Sequence, residues 1–375
     1  MGATERAIEL ARECGFDLAG VAPLRSPRDA DHWRRWIEQG RHAGMAWLER
    51  DLERVADPGA WAPRARSLLV VGLGHSRAPV QLPDGASVAR YAGGRDYHNV
   101  MGRRLRKLRQ RLVDERLISE ASWSRAAVDA APLLERSHAA EAGLGFASKA
   151  ANLLHPSFGP WFFLGELLIE TELDPTTTAP AGSCGTCRAC LDACPTQAIV
   201  APGEVDARLC LSYHNIESPS ALPRELRSAV GEWAFGCDVC SQVCPWGSKA
   251  PDLGERFGLH PALAEHGVVR WLELADEEEV SQLFNGSPLQ RPRRAGLARN
   301  AAIVLGNRRG HDADQVLLRA LNFDPEPLVR EAAGWALART RSESPAVRAA
   351  LEAAHARETD PSARAELRRT LDGEL

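Results

Sequence analysis

Eight of the nine cysteines in this chain fall into two groups along the sequence. The first group has the spacing C-x2-C-x2-C-x3-C-P and contains Cys184, Cys187, Cys190 and Cys194. The second group contains Cys210, Cys237, Cys240 and Cys244, and a proline again follows its last member. The first spacing is the one that binds cubane iron–sulfur clusters in bacterial ferredoxins, so these thiolates are predicted to hold clusters that carry single electrons.

In two-cluster ferredoxins the fourth cysteine of such a run ligates the other cluster. This rule assigns Cys184, Cys187, Cys190 and Cys244 to a first cluster, and Cys194, Cys210, Cys237 and Cys240 to a second cluster. A pair of structural zinc sites is the alternative, because C-x2-C pairs also suit tetrahedral zinc. The continuous x2-x2-x3 run fits a cubane better than two separate tetrahedra. Cys14 stands apart and is expected to be a small buried apolar residue.

Length and composition favour a globular protein of two or three domains, because 44% of the 375 residues are hydrophobic. The net charge is -4, so any surface that binds anions must be local. No apolar run approaches the roughly 18 residues that cross a bilayer. The N-terminus also lacks a secretory signal pattern, so we expect a cytoplasmic protein with reduced thiols and no membrane contact.

The first 174 residues mix helices and strands. A helix is predicted from Ala3 to Cys14 with Gly15 as its stop, and strands are predicted at Ser67–Leu73, Ala126–Asp129 and Trp161–Glu170. A further amphipathic helix carries an apolar face of Leu105, Leu108, Leu112 and Leu117. Its opposite face is basic, from Arg103 to Arg111, and is either a solvated surface or a nucleic-acid contact.

The segment Asp174–Gly182 is a predicted linker, and the cysteine module that follows ends near Trp246. From about Leu289 the chain is rich in alanine and leucine and weakly repetitive, which favours stacked helix pairs of the HEAT kind. We therefore predict an α+β protein with domains at 1–175, 176–250 and 251–375: an N-terminal α/β domain, a ferredoxin-like two-cluster module and C-terminal HEAT-like repeats.

The cysteine run from Ser183 to Ile199, with Cys237, Cys240 and Cys244, closely resembles epoxyqueuosine reductase, a family of queuosine biosynthesis. The resemblance extends upstream to Gly94–His98, Val128–Asp129, Ala142–Phe146 and Gly159–Gly165, and downstream to the helical repeats. It implies a cobalamin-binding first domain, two 4Fe-4S clusters and reduction of epoxyqueuosine to queuosine at the wobble position of tRNA. It further implies an external one-electron donor such as a flavodoxin or ferredoxin.

By the same resemblance Asp129 is the catalytic proton donor. The positions expected to touch cobalamin are Arg54, Asp129, Leu153, Leu164, Ser212, Cys237 and Asp238. Ala89 stands where some members carry cysteine, so no side-chain role is transferred there. Asp96 and His98 begin the D-x-H-x-x-G motif of histidine-ligated cobalamin, but Met101 replaces its glycine. We therefore expect no histidine ligand to cobalt, and we interpret His98 as an ordinary surface or core residue.

The chemistry of the implied reaction agrees with these cofactors. Epoxide removal needs two electrons and two protons, whereas each cubane delivers one electron at a time, so a two-electron carrier such as low-valent cobalt must stand between them. Our hypothesis is that cob(I)alamin attacks an epoxide carbon while Asp129 protonates the oxygen. Such an acid needs a raised pKa, which burial against the corrin would supply.

A basic stretch at the start of the repeats is the predicted tRNA contact. Residues 291–309 contain no acidic residue and include Arg291, Arg293, Arg294, Arg299, Arg308 and Arg309. Such a patch can hold phosphates while the modified base is extruded into the active site. A solvated loop is the alternative interpretation.

Two other functions compete with this prediction. A cobalamin-dependent reductive dehalogenase acting on a small molecule shares the cofactors, but it has no need of a basic helical-repeat region. An electron-transfer adaptor would need only the clusters and repeats, and it leaves the first 170 residues unexplained. The self-capped repeats favour a monomer.

Overall fold

The computed structural model describes residues 2–50, 52–176, 182–253, 256–308 and 313–375. Its helices are α1 Ala3–Glu13, α2 Ala30–Glu38, α3 Trp47–Arg50, α4 Leu52–Ala56, α5 Pro58–Trp61, α6 Tyr97–Asp114, α7 Glu135–Glu141, α8 Ala189–Ala193, α9 Arg224–Val230, α10 Val239–Gln242, α11 Pro261–Glu265, α12 Val268–Leu272, α13 Glu277–Leu283, α14 Arg293–Arg308, α15 Asp314–Phe323, α16 Pro327–Thr340, α17 Pro345–Arg357 and α18 Pro361–Leu371. A π-helical turn covers Tyr213–Glu217, and 3-10 turns cover Arg90–Ala92, Gly247–Lys249 and Pro288–Gln290.

The strands are β1 Leu18–Ala22, β2 Ser67–Gly74, β3 Val80–Gln81, β4 Ser87–Val88, β5 Ser124–Ala127, β6 Phe146–Ala147, β7 Leu153–Leu154, β8 Phe162–Ile169, β9 Ile199–Ala201, β10 Glu204–Val205 and β11 Trp233–Phe235. The largest sheet has the order β1-β2-β8-β5, and each pair of adjacent strands in it is antiparallel. Strand β2 is buried along its whole length, which explains its continuous apolar sequence.

Most local predictions for the first part of the chain are confirmed, but the predicted strand Ala126–Asp129 is wrong at its end, because β5 spans Ser124–Ala127 and Asp129 has a left-handed backbone. Helix α1 ends before Gly15, whose φ of 89° is the left-handed conformation that glycine adopts most easily. Helix α6 buries Leu105, Leu108 and Leu112, whereas Leu117 lies beyond the end of the helix and is half-buried. Cys14 is buried, as predicted.

The described chain forms two compact units. The first unit contains residues 1–78, 95–208 and 239–258, and its sheet packs against helices that include α7. Ala139 and Ala142 of this region, with Leu68 and Leu168 of the sheet, belong to one buried apolar cluster. This packing fixes the strand ends from which candidate site residues emerge.

The second unit contains residues 79–94, 209–238 and 259–375. Helices α14, α15, α16, α17 and α18 pack against their neighbours in the manner of HEAT repeats, and Trp335 and Leu297 lie fully buried between them. The small sheet β11-β4-β3 belongs to the same unit, because segments 79–94 and 209–238 share its apolar core.

The α+β fold class is confirmed, but these units cut across the consecutive ranges 1–175, 176–250 and 251–375. That division stays a prediction at its boundaries, and residues 177–181 of the predicted linker lie outside the described residues. Among the described residues, no helix is both long and apolar enough to span a bilayer.

Candidate iron–sulfur and catalytic sites

A cavity of about 300 Å³ in the first unit is lined by cysteine side chains. The structure brings together there the four residues assigned to the first cluster, Cys184, Cys187, Cys190 and Cys244, and Cys240 lines the same cavity. Cys244 follows its partners by more than fifty residues in sequence, as the crossing rule requires. In the described part of the chain, no three His, Cys, Asp or Glu side chains form a cage around a single metal ion. The open space between the thiols fits a polyatomic cluster.

The loop around this cavity is held by side chains from the turn between β6 and β7. The Lys149 ammonium donates to the carbonyls of Gly185 and Cys187, at 2.7 and 2.9 Å. The Asn152 amide donates to the Ser241 hydroxyl at 3.1 Å, and so ties β6–β7 to helix α10. Burial, followed by the charges of Cys184 and Cys244, raises the pKa of Cys190. A cluster would relieve this cost, because it binds the thiolates and neutralises part of their charge.

The residues assigned to the second cluster are divided between the units. Cys194 and Cys240 belong to the first unit, and Cys210 and Cys237 belong to the second. All four are partly buried. The Cys194 sulfur accepts a hydrogen bond from the amide of Ala198 at 3.2 Å, which is the type of contact that stabilises cluster sulfur. Their joint ligation of one cluster stays a prediction.

Asp129 emerges just after strand β5, in the first unit. Its backbone has a φ of 59°, in the left-handed region that aspartate tolerates better than most residues. The Tyr97 hydroxyl donates to Asp129 Oδ2 at 2.6 Å, and His98 Nε2 lies 3.5 Å from the same oxygen. The Asp129 side chain is 61% exposed, so the burial that we expected of a catalytic acid is not supplied by the protein chain itself.

His98 is a member of this site that the sequence interpretation missed. Its Nδ1 lies 2.7 Å from Asp96 Oδ1, so the imidazole stands between two carboxylates. Asp129 and then Asp96 raise the pKa of His98 to about 9, so the ring is an imidazolium near neutral pH. Tyr97 stacks between His98 and Phe163, with ring centroids 4.1 and 4.3 Å away, which fixes its hydroxyl beside Asp129. The consecutive Asp96-Tyr97-His98 at the start of α6 is the signal that could have revealed this group.

Two glutamates lie beneath the Asp129 loop. Glu135 Oε1 accepts a hydrogen bond from the Asp129 amide at 2.6 Å. Burial and then the charge of Asp129 raise the pKa of Glu135 to about 7. Glu166 on β8 is 0% exposed, and burial and then the charge of Glu135 raise its pKa well above the usual value. At least one of these carboxyls is therefore protonated near neutral pH.

The other residues predicted to contact cobalamin lie in both units. In the first unit Arg54 is exposed on α4, Leu153 is buried on β7 and Leu164 is half-buried on β8. In the second unit Ser212 and Cys237 are half-buried. Asp238 is buried there and accepts hydrogen bonds from the Arg90 amide at 2.8 Å and guanidinium at 2.9 Å. Their joint binding of cobalamin stays a prediction.

The predicted tRNA patch needs a correction. Arg294 is 6% exposed and its guanidinium pairs with buried Asp324, with one contact of 2.8 Å. Arg299 is 0% exposed and donates to backbone carbonyls inside the second unit. The prediction that these two arginines bind phosphates is wrong, because neither guanidinium reaches the surface. Arg291 and Arg293 are exposed, whereas Arg309 lies outside the described residues.

Comparison with known proteins identifies the family. The family described as epoxyqueuosine reductase QueG matches residues 56–130, a 4Fe-4S double cluster binding domain matches residues 183–247, and HEAT repeats match residues 289–372. The epoxyqueuosine reductase of Xanthomonas campestris pv. campestris is 38% identical over 348 residues, which cover 90% of this chain and 96% of that protein. The chain belongs to the epoxyqueuosine reductase family.

Other epoxyqueuosine reductases agree with this assignment. The Escherichia coli enzyme is 34% identical over a matched region that covers 87% of this chain and 86% of that enzyme. A selenomethionine-labelled epoxyqueuosine reductase matches with a TM-score of 0.88 and 28% identity over 98% of both chains. An epoxyqueuosine reductase solved with an epoxyqueuosine-modified tRNA-Tyr stem loop matches with a TM-score of 0.87 and 27% identity over 98% of this chain and 97% of that one. This member of the family is therefore an oxidoreductase with an iron–sulfur domain.

Proposed function

We propose that this enzyme reduces epoxyqueuosine to queuosine at the wobble position of tRNA, with cobalamin and two 4Fe-4S clusters as cofactors. The observation that carries the proposal is the arrangement at Asp129: an accessible carboxylate, a tyrosine hydroxyl and an imidazolium converge at one strand end. The same unit holds the cysteine-lined cavity. Acid–base groups together with electron carriers are what an epoxide reduction requires.

The residues present fit both cofactors. The cysteine cavity offers thiolates around an open space, which suits a 4Fe-4S cluster. For cobalamin, the first unit offers the apolar residues Leu153 and Leu164 and the exposed carboxylate of Asp129. When bound, cobalamin supplies a low-valent cobalt that can deliver two electrons to carbon.

The chain can supply one of the two protons of the reaction, and the second is taken from solvent. Conversion of an epoxide to an alkene and water consumes two electrons and two protons. His98 carries a proton near neutral pH, because Asp129 and Asp96 raise the pKa of its imidazole to about 9. A proton delivered at Asp129 Oδ2 to the epoxide oxygen can thus be replaced from the adjacent imidazolium. Tyr97 orients the carboxylate through its 2.6 Å hydrogen bond.

Support for the role of Asp129 comes from a Bacillus subtilis epoxyqueuosine reductase solved with the catalytic loop of its aspartate swung out of the active site.

The tRNA substrate is supported by the relative solved with a modified stem loop. In this chain Arg291 and Arg293 remain as candidate phosphate contacts, because both are exposed. Arg291 also forms an ion pair with Glu217 at 2.9 Å, which holds its guanidinium at the surface of the second unit. Electrons are proposed to enter from an external one-electron donor of the flavodoxin or ferredoxin type.

The test is an anaerobic single-turnover assay on tRNA that contains epoxyqueuosine. The purified enzyme should contain about eight irons per chain, as two cubanes require, and added cobalamin should change its visible spectrum on reduction. Queuosine should form in tRNA only when cobalamin and a strong one-electron reductant are both present. Equal turnover of a small organohalide in place of tRNA, or turnover without cobalamin, would contradict the proposal.

A further inference from the structure

Helix α14, the long first helix of the repeats, carries two adjacent polar residues in its buried face. Arg299 is 0% exposed and Asn300 is 2% exposed. The Arg299 guanidinium donates to the carbonyls of His214 at 2.6 Å and Ser218 at 2.9 Å, and also to that of Ser220. One side chain thus closes the π-helical turn that follows Cys210. The amide of His214 in turn donates to the carbonyl of Cys210 at 3.2 Å.

Asn300 continues this network toward the next cysteine. Its amide donates to the carbonyls of Asn215 at 2.7 Å and Ala234 at 3.0 Å. The Asn215 side chain then pairs with both backbone groups of Gly236: its Oδ1 accepts from the amide at 2.8 Å, and its Nδ2 donates to the carbonyl at 2.9 Å. Gly236 immediately precedes Cys237, so the network joins the chain segments of two predicted ligands of the second cluster.

Gly236 is the residue at which this geometry is most constrained. Its φ is 66°, and a Cβ at this position would lie 2.4 Å from the Ala89 side chain. A glycine is therefore needed at this position, because the positive φ and the close approach of Ala89 both disfavour a larger residue. The backbone entering Cys237 has little freedom to move.

The charge of Arg299 is buried away from solvent. Among the described residues no carboxylate forms an ion pair with it, and Glu331, whose charge acts on it, is already paired with Arg227 at 2.7 Å. Burial lowers the pKa of Arg299 to about 10, which still leaves it charged near neutral pH. A buried cation that lacks a counterion is costly, unless an anion is supplied by something else.

We propose that Arg299, Asn300 and Asn215 form a positioning network that sets the separation of Cys210 and Cys237, and that the Arg299 charge favours the reduced, more negative form of the cluster that these cysteines bind. This inference rests on the proposed second cluster and is independent of the tRNA substrate. Net charge and hydrogen bonding near a cluster set its potential, and a charge inside the protein is screened much less than one at the surface. In this proposal the negatively charged second cluster is the counterion of Arg299.

Two variants separate geometry from charge in the full-length, cluster-loaded enzyme. Arg299→Lys keeps the charge but removes the planar fork that reaches three carbonyls, so an iron chelator should strip the second cluster faster than in the wild type, with its potential nearly unchanged. Arg299→Met removes the charge. At a fixed solution potential it should lower the reduced-to-oxidised ratio of the second cluster by about tenfold, which corresponds to about 59 mV for one electron. Potentiometric EPR measures each cluster, and Cys210→Ala identifies the signal of the second.

The first cluster is the internal control, because it should keep its potential and iron in both variants. Arg227→Met is the matched control variant, since Arg227 is 1% exposed in the same unit and pairs with Glu331. It should lower thermal stability without a selective effect on the second cluster.

Unchanged second-cluster potential in Arg299→Met, or chelation of Arg299→Lys at the wild-type rate, would overturn the corresponding half of the proposal. Equal effects of Arg227→Met would overturn both halves. If Arg299→Met does not fold, Asn300→Asp provides the test of positioning, because it removes both donated hydrogen bonds at constant size. If the wild-type enzyme holds both clusters but does not act on tRNA that contains epoxyqueuosine, the proposed function is contradicted and the positioning network is not.

Discussion

The wild-type enzyme should lose stability between about pH 5 and pH 8, and replacing Glu166 by glutamine should remove much of that loss. Glu166 belongs to strand β8, and its side chain is fully buried, at 0% exposed. Its carboxyl interacts with that of Glu135, and this interaction adds to the effect of burial in raising the pKa of Glu166. Its neighbour Glu135 has a pKa raised to about 7 by burial and then by the charge of Asp129.

The sign follows from the direction of these shifts. A carboxyl whose pKa is raised by folding binds more protons in the folded state than in the unfolded state above about pH 4.5, so stability falls as the pH rises toward the folded pKa. For Glu135 the rise from 4.5 to about 7 corresponds to about 3 kcal/mol, at about 1.4 kcal/mol per unit. Glu166 contributes in the same direction, because its pKa is raised even more strongly.

Glutamine at position 166 removes the more deeply buried of the two interacting ionisable groups. At about pH 5 the variant should resemble the wild type, because both glutamates are then largely neutral in the folded protein. Near pH 8 the variant should be more stable by about 1–3 kcal/mol, which corresponds to a melting temperature higher by on the order of 5 °C.

Other groups also titrate in this range. The pKa of His98 is raised to about 9 by Asp129 and Asp96, so the stability it contributes is lost as the pH rises toward that value. Burial lowers the pKa of His138 to about 4, which acts in the opposite direction. Both histidines are present in wild type and variant, so the difference between the two melting temperatures cancels most of their effect.

The assay is anaerobic thermal unfolding of the cluster-loaded protein at several pH values and one scan rate. Glu135→Gln is the matched variant. It removes the other carboxyl of the pair, so it should also reduce the change of melting temperature with pH. A melting-temperature difference that stays constant with pH, or a Glu166→Gln protein less stable than wild type at pH 8, would refute the reasoning about this buried pair.

Three further predictions test the proposed function. Asp129→Asn should retain both clusters and cobalamin but lose roughly 10²-fold or more in single-turnover rate, as expected when a general acid is removed; near-normal turnover would exclude Asp129 from the chemistry. Cys194→Ala should abolish the EPR signal of the second cluster and leave that of the first, and selective loss of the first would reject the crossing rule. Combined Arg291→Glu and Arg293→Glu should weaken tRNA binding and flatten its log–log salt dependence by about one unit for each phosphate that is no longer bound. The exposed control Arg364→Glu should leave that slope unchanged, and an unchanged slope in the double variant would leave these arginines as ordinary solvated residues.

Several features of this protein could be predicted from sequence because they depend on local spacing. The C-x2-C-x2-C-x3-C-P run places thiolates on a short turn, whatever the rest of the chain does. The apolar periodicity of α6 and the continuous apolar run of β2 likewise follow from residues close together in sequence, and both elements are confirmed. The similarity of helix pairs after Leu289 predicted the repeats in the same way.

The composition of the Asp129 site was only partly accessible from sequence. Tyr97 and His98 lie more than thirty residues before Asp129, and only the packing of α6 beside β5 and β8 brings them together. Glu166 was visible as a lone acid in the apolar strand Phe162–Ile169, but its partner Glu135 comes from a different element.

The arginines of 291–309 show what only the tertiary structure decides. In sequence, Arg291, Arg293, Arg294 and Arg299 form one basic stretch, and their charge suggested a surface that binds phosphates. In the folded chain Arg291 and Arg293 are exposed, Arg294 pairs with Asp324, and Arg299 closes a turn beside Cys210. A helix turns successive side chains to different sides, so each arginine meets either water or a neighbouring segment. Which of the two it meets depends on chain segments distant in sequence that pack against that helix.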